Sequence, residues 1–382
     1  MIKRFFMKHR DTKTQSIPIS LNFTTQYIRG TVILRNLFHI RIKNLCASVS
    51  LCSILICLLF GSCIREDIAG NSPEANFESL WKIIDEQYCF LDYKHEGYGL
   101  DWDEVHTRYA QRITPDMTWE NLYEVLSDMV NELRDGHVNL SSSIGTSQYR
   151  AWFDAFPHNF SDSIQSIYLG KDYVNSSGLT YSILENNIGY IYCESFSSGI
   201  GDGNLDQTLN ALAVCDGLII DVRDNGGGNL TTAQKLAARF TNERVLVGYM
   251  YHKTGPGHND FSEPKPVYID PSNGIRWQKK AVVLTNRRSY SATNDFVNSM
   301  NQFPNITLVG DKTGGGSGLP FSSEIPCGWS IRFSANPMLD PGMNQLEFGI
   351  DPDIKVDMTS EDIARGKDTM IETACKVLKN LD

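Results

Sequence analysis

The segment Leu218-Ile219-Ile220-Asp221-Val222-Arg223-Asp224-Asn225-Gly226-Gly227-Gly228-Asn229 joins an apolar run to three consecutive glycines. An uninterrupted Leu/Ile/Val run of this length reads as a strand buried on both faces, as in a parallel sheet. The chain then turns at the glycines and enters a helix over Leu230 to Phe240. Bare backbone N–H groups at such a strand-to-helix turn can cradle a phosphate or stabilise an oxyanion. A phosphate loop wants a Lys-Ser/Thr pair after its glycines, and Asn229-Leu230 do not supply one. The dinucleotide spacing GxGxxG is also absent. A turn needing positive φ accounts for one glycine, but not for three in a row.

Further strands are expected at His137 to Leu140, Ile188 to Cys193, Gly217 to Val222, Ala281 to Leu284, Thr307 to Val309 and Trp329 to Phe333. Helices are expected at Ala292 to Met300 and, closing the chain, at Glu361 to Leu378. Strands alternating with helices argue for an α/β architecture with largely parallel pairing. Ahead of it, Pro73 opens a helix in which Phe77, Leu80, Trp81, Ile84 and Tyr88 recur at helical spacing. Asp101 to Arg112 is a weaker helix. Thr118 caps another, lined by Leu122, Val125, Leu126, Met129 and Leu133.

Three further segments carry chemistry. In Leu133-Arg134-Asp135-Gly136-His137-Val138 a helix ends and a His enters an extended stretch, where it is either a general base or a structural boundary residue. In Val282-Val283-Leu284-Thr285-Asn286 through Arg287-Arg288-Ser289-Tyr290 to Ser291-Ala292-Thr293-Asn294, a buried strand feeds a loop and a helix with Ser291 at its start. That serine is either an exposed nucleophile beside free N–H groups or a simple cap. Gly310-Asp311-Lys312-Thr313-Gly314-Gly315-Gly316-Ser317-Gly318 is a second glycine run, with its lysine before the glycines. It is followed by Phe348-Gly349-Ile350-Asp351-Pro352-Asp353.

In this order and spacing the segments resemble the C-terminal processing (tail-specific) peptidases and their tricorn-type relatives, over roughly residues 72–360. The resemblance implies a ClpP/crotonase-like α/β core behind a small helical domain. One branch of that family activates its serine with a lysine at the position held here by Gly316; Lys312 lies elsewhere in the loop. The tricorn-type branch uses a histidine from the Asp-Gly-His region, which is present as His137. The resemblance therefore implies Ser291 as nucleophile, His137 as base, Glu347 as a supporting acid, and an oxyanion site at Ala292 N–H with Gly226 or Gly227. Gly136 stands where the tricorn-type set has a second serine. The interval from His137 to Ile188 is too short for the peptide-binding PDZ domain of many relatives. No cofactor and no metal is implied, and the expected partner is a peptide or unfolded protein. The alternative is a catalytically inactive member that binds a peptide or apolar ligand.

Composition is that of an ordinary globular protein, with a net charge of −10. Nine of the Lys and Arg but one acidic residue fall in residues 1–62, so the remainder is markedly acidic and offers no footprint for nucleic acid. The apolar run Leu45 to Phe60 follows Arg41 and Lys43 and ends in Phe60-Gly61-Ser62-Cys63. This pattern describes an export signal and resembles a bacterial lipoprotein signal, in which Cys63 carries the lipid. The alternative is a plain membrane anchor helix. The expected organisation is a leader at 1–62, a linker at 63–71, a helical domain at 72–136 and a peptidase core at 137–382, exported and membrane-anchored. Beyond Cys63, Cys89, Cys193, Cys215, Cys327 and Cys375 are scattered without a CxxC pair, against metal binding. Cys193 and Cys215 read as buried apolar residues.

Overall fold

The computed structural model describes residues 70–380. The expected leader, Cys63 and all but the last two residues of the linker lie outside them. Four helices open the described region: α1 (Pro73–Gln87), α2 (Leu91–Tyr98), α3 (Trp102–Ala110) and α4 (Trp119–Asn131). Ser72, Asp101 and Thr118 cap three of them through their side-chain oxygens. Helix α2 escaped the sequence reading because it buries Leu91 and Lys94 instead of an apolar stripe.

The remaining elements, in order, are β1 (Asn139–Ser141), α5 (Ala151–Asp154), α6 (Asp162–Leu169), β2 (Val174–Ser176), β3 (Leu179–Leu184), β4 (Ile188–Cys193), α7 (Asp202–Leu212), β5 (Gly217–Asp221), α8 (Leu230–Ala237), β6 (Val245–Met250) and β7 (Lys265–Ile269). Then come β8 (Ala281–Thr285), α9 (Ala292–Met300), β9 (Ile306–Gly310), β10 (Gly318–Glu324), β11 (Ser330–Leu339), β12 (Ile354–Lys355), α10 (Ser360–Ala364) and α11 (Thr369–Lys379).

A seven-stranded sheet runs β12-β9-β8-β5-β4-β3-β2. Its strands β4, β5, β8, β9 and β12 are parallel, and β3 and β2 complete it antiparallel. Every residue of β5 and of β8 is buried, as their unbroken apolar runs require of central parallel strands. A second, antiparallel sheet runs β1-β11-β6-β7, with β10 added along β11. Phe77, Leu80, Leu126 and Met129 of the opening helices share one core with Ile331 and Phe333 of β11.

Several boundaries differ from expectation: the helix from Leu230 ends at Ala237 instead of Phe240, and the strand expected to end at Phe333 runs on to Leu339. The closing helix is interrupted: Gly366 sits at φ 67°, and Asp368 starts a new helix by accepting from the N–H groups of Met370 and Ile371. The strand expected from His137 begins only at Asn139, which leaves His137 on the turn before it.

Candidate active site

The carboxyl ends of β5 and β8, side by side in the sheet, release the two loops that build the site. After β8 the chain makes a sharp turn that leaves Ser291 at φ 61°, ψ −123°. L-residues rarely adopt such a conformation, and it persists only where surroundings impose it. Here Tyr290 N–H donates to Asn225 O at 3.1 Å and Ser291 N–H to Gly315 O at 2.9 Å, clamping the turn from both sides. The Ser291 hydroxyl makes no capping bond to α9. Its Oγ lies 2.9 Å from His137 Nε2, joining positions 154 residues apart.

His137 is almost wholly buried, and its Nδ1 has no partner. Burial, with Arg332 and Lys94 adding to it and Asp135 opposing, pushes the imidazole down to about 4. Asp135 accepts the His137 backbone N–H at 2.7 Å, the Tyr88 and Ser334 hydroxyls at 2.9 Å each and the Tyr290 hydroxyl at 3.3 Å. Burial works to raise this carboxyl, but Lys94, His137 and those bonds outweigh it and hold it below the ordinary range. Asp135 and Tyr290 stood in the quoted motifs without an assigned role. The structure makes them the floor on which His137 rests, with the Tyr290 ring stacked on Trp152 at 4.2 Å.

Glu347 is brought close but not onto the histidine. It accepts from Lys94 Nζ at 3.0 Å and from Ser317 N–H at 3.1 Å. Burial and the neighbouring Asp135 push its carboxyl up to about 7 despite Lys94. Lys94, fully buried on α2, carried no sequence signal, because a lone lysine on a short helix reads as surface.

Two glycines show why the expected substitutes are missing. A Cβ at Gly316, which sits at φ 76°, would lie 2.3 Å from the Tyr290 ring, so no lysine fits there. One at Gly136 would lie 2.8 Å from Trp152 Nε1 and 3.0 Å from the Tyr290 hydroxyl. Lys312 instead reaches Asp351 at 3.2 Å near the surface.

The oxyanion loop packs directly on the serine turn. A Cβ on Gly227 (φ 101°) would meet Tyr290 O at 2.7 Å, Ser291 Cβ at 2.8 Å and Ala292 N at 2.9 Å. Gly227 N–H itself donates to Asn225 Oδ1 at 3.0 Å, so this one of the expected oxyanion donors is already engaged. The other motif residues are ties. Asn286 Oδ1 accepts from Asp224 N–H at 3.1 Å and from Arg288 N–H at 3.0 Å, locking the two loops together. Asn294 and Thr313 bond to each other at 2.5 Å, and Thr313 Oγ1 accepts from Ile350 N–H at 2.7 Å. Arg223 is fully buried, donating to both Asp221 oxygens and to Asp368 at 2.9 Å.

Comparison with known proteins bears on the fold and the family. The description of peptidase family S41 matches residues 187–356, and that of the tricorn protease C1 domain matches residues 70–131. A candidate peptidase of Parabacteroides merdae, solved by crystallography, is 51% identical with a TM-score of 0.78, covering 81% of this chain and 97% of that one. Mature CPAF shares the fold at 13% identity and a TM-score of 0.63, over 82% of this chain and 98% of that one. The tricorn protease of Thermoplasma acidophilum is 24% identical over 273 residues, 68% of this chain and 22% of that protein. The chain spans about a fifth of the length of the curated relatives it matches. Half its aligned residues are identical to those of a solved relative spanned almost end to end, and the S41 description covers most of its central sheet: the chain belongs to peptidase family S41, and its opening helices match the tricorn protease C1 domain.

Proposed function

We propose that this chain is a serine peptidase acting through Ser291 and His137, exported and held at a membrane by lipid on Cys63. The contact of 2.9 Å between Ser291 Oγ and His137 Nε2, at a strained turn beside unspent N–H donors, carries the catalytic reading. Nε2 takes the hydroxyl proton as Oγ bonds to the carbonyl carbon of the scissile peptide. The resulting oxyanion lies against Ala292 and Gly226 N–H, and each such donor is worth about 2.7–4 kcal/mol. The imidazolium then hands its proton to the leaving amine as the C–N bond breaks. Water repeats the sequence to free the acid from Ser291. The buried carboxylate of Asp135 favours the transient imidazolium by its charge. The family's processing members support an unfolded polypeptide or its tail as substrate.

The test is a fluorophosphonate probe and an unstructured protein substrate offered to the full chain. Wild type labels and cleaves, while Ser291→Ala and His137→Ala lose about 10⁴-fold or more. Labelled palmitate enters wild type but not Cys63→Ala. A folded wild type that neither labels nor cleaves overturns the catalytic reading in favour of ligand binding.

A further inference from the structure

Aromatic and apolar side chains gather on the surface where the opening helices meet the β10–β11 turn. Trp119, at the first position of α4, is 44% exposed. Its ring lies 6.0 Å from that of Trp329, and the half-buried Tyr123 ring lies 5.7 Å from the same partner, both edge-on. The turn after β1 adds Ile144, 41% exposed, beside Tyr123: a Cβ on the adjoining Gly145 would lie 3.3 Å from the Tyr123 hydroxyl. Trp81, Trp102, Trp152 and Trp277 each donate their indole N–H to a backbone carbonyl. Trp119 has no such acceptor among the described residues, so its N–H points outward unspent. A ring with an apolar body and a free N–H suits the boundary of a bilayer, where hydrocarbon meets headgroup oxygens.

The patch adjoins the point where the chain enters the described fold. Asn76, in the first turn of α1, donates to Ser72 O at 2.8 Å. Its Oδ1 accepts at 2.8 Å from the N–H of Cys327, two residues before Trp329. Cys63 precedes Pro73 by ten positions. An extended chain rises at most about 3.6 Å per residue, so a lipid on Cys63 is tied within about 36 Å of α1. The tether therefore brings a membrane to this end of the fold. Glu74, Glu120 and Glu324, on α1, α4 and β10, give the same end a negative charge that disfavours anionic lipid.

We infer that Trp119, Tyr123 and Ile144 form a membrane-contact surface that settles into the headgroup boundary of zwitterionic phospholipid. The inference rests on the lipid-anchor reading above and adds the face turned to the bilayer. Lipid and rings together then hold the chain in one orientation. Because α4 runs from Trp119 toward the turn that carries His137, the same contact fixes which way the catalytic cleft faces.

The full chain, reconstituted into phosphatidylcholine vesicles with and without chain-brominated lipid and isolated by flotation, tests this through its tryptophan emission. Brominated acyl chains quench only rings that reach the bilayer boundary. Wild type floats and loses about a third of its emission, the share of Trp119 and Trp329 among the six tryptophans. Trp119→Phe floats equally well, with its quenching reduced by about half. Ile144→Asp keeps all six rings and loses quenching to a similar degree, and both variants keep the wild-type thermal midpoint. A wild type that floats unquenched overturns the inference while the anchor stands, and gives the patch to a protein partner instead. Variants quenched as strongly as wild type overturn it too. A wild type that does not float removes the anchor reading, and this one with it.

Discussion

As the proposed general base, His137 sits in unusual surroundings. Its imidazole is almost entirely out of water, and the positive groups nearby, Lys94 and Arg332, oppose a further proton. A base must be neutral to accept the Ser291 proton, and with its pKa lowered to about 4 it stays neutral over the whole mildly acidic range. The expected pH profile of kcat/KM is therefore flat from neutrality down to about pH 5 and falls through about pH 4. An unperturbed histidine would bend it near 6.5. Rates on a neutral substrate, with folding followed by tryptophan fluorescence at each pH, check this. An acid limb near 6.5 would mean that water or a counter-charge reaches the imidazole in the working enzyme. The unpartnered Nδ1 makes the same point structurally: orientation comes from packing on Tyr290 and from the Asp135 bond to the backbone N–H, with no acceptor on the ring.

At the scale of elements, the site is a contact between two loops leaving neighbouring strands. Gly227 is where they touch. Gly227→Ala adds a methyl into Tyr290 O and Ser291 Cβ at a positive φ, so the loop must retreat from the serine turn. Such strain costs about 1–3 kcal/mol, and a displacement of about an ångström costs about 100-fold in rate. We expect kcat to fall by that order with a smaller loss of denaturant midpoint. Unchanged kcat would detach the glycine loop from catalysis. These same elements were the legible ones. β5 and β8 are buried on both faces and so wrote themselves as apolar runs, and the glycines between strand and helix marked the turn. The antiparallel sheet was largely invisible. β7 and β10 are mostly exposed edges whose residues show no clean alternation, so neither face is forced to be apolar. Ser291 and His137 could be named only because the motifs came together. Lys94 could not be found from sequence, since what sets it apart is burial.

Across the whole molecule, charges far apart in sequence are buried against one another. Arg223 follows β5, and its partner Asp368 opens α11. Neither touches solvent. Asp368→Asn leaves the Arg223 charge with Asp221 as its only carboxylate and can set an amide N–H2 against the guanidinium, while the amide oxygen still caps α11, a change of about 3–5 kcal/mol in stability. Urea unfolding measures it, and a loss below about 1 kcal/mol would mean that Asp221 suffices for Arg223. The Lys94–Glu347 pair does the same between α2 and the segment after β11, across 253 residues.

That spacing bears on when the protein becomes dangerous to its maker. The proposed base, the proposed nucleophile and the Asp368 partner of buried Arg223 are delivered in turn, at residues 137, 291 and 368. A chain emerging vectorially from the ribosome thus cannot bring the histidine and the serine together before residue 291 has appeared. Silence of the site up to that point is then a property of the order of residues along the chain.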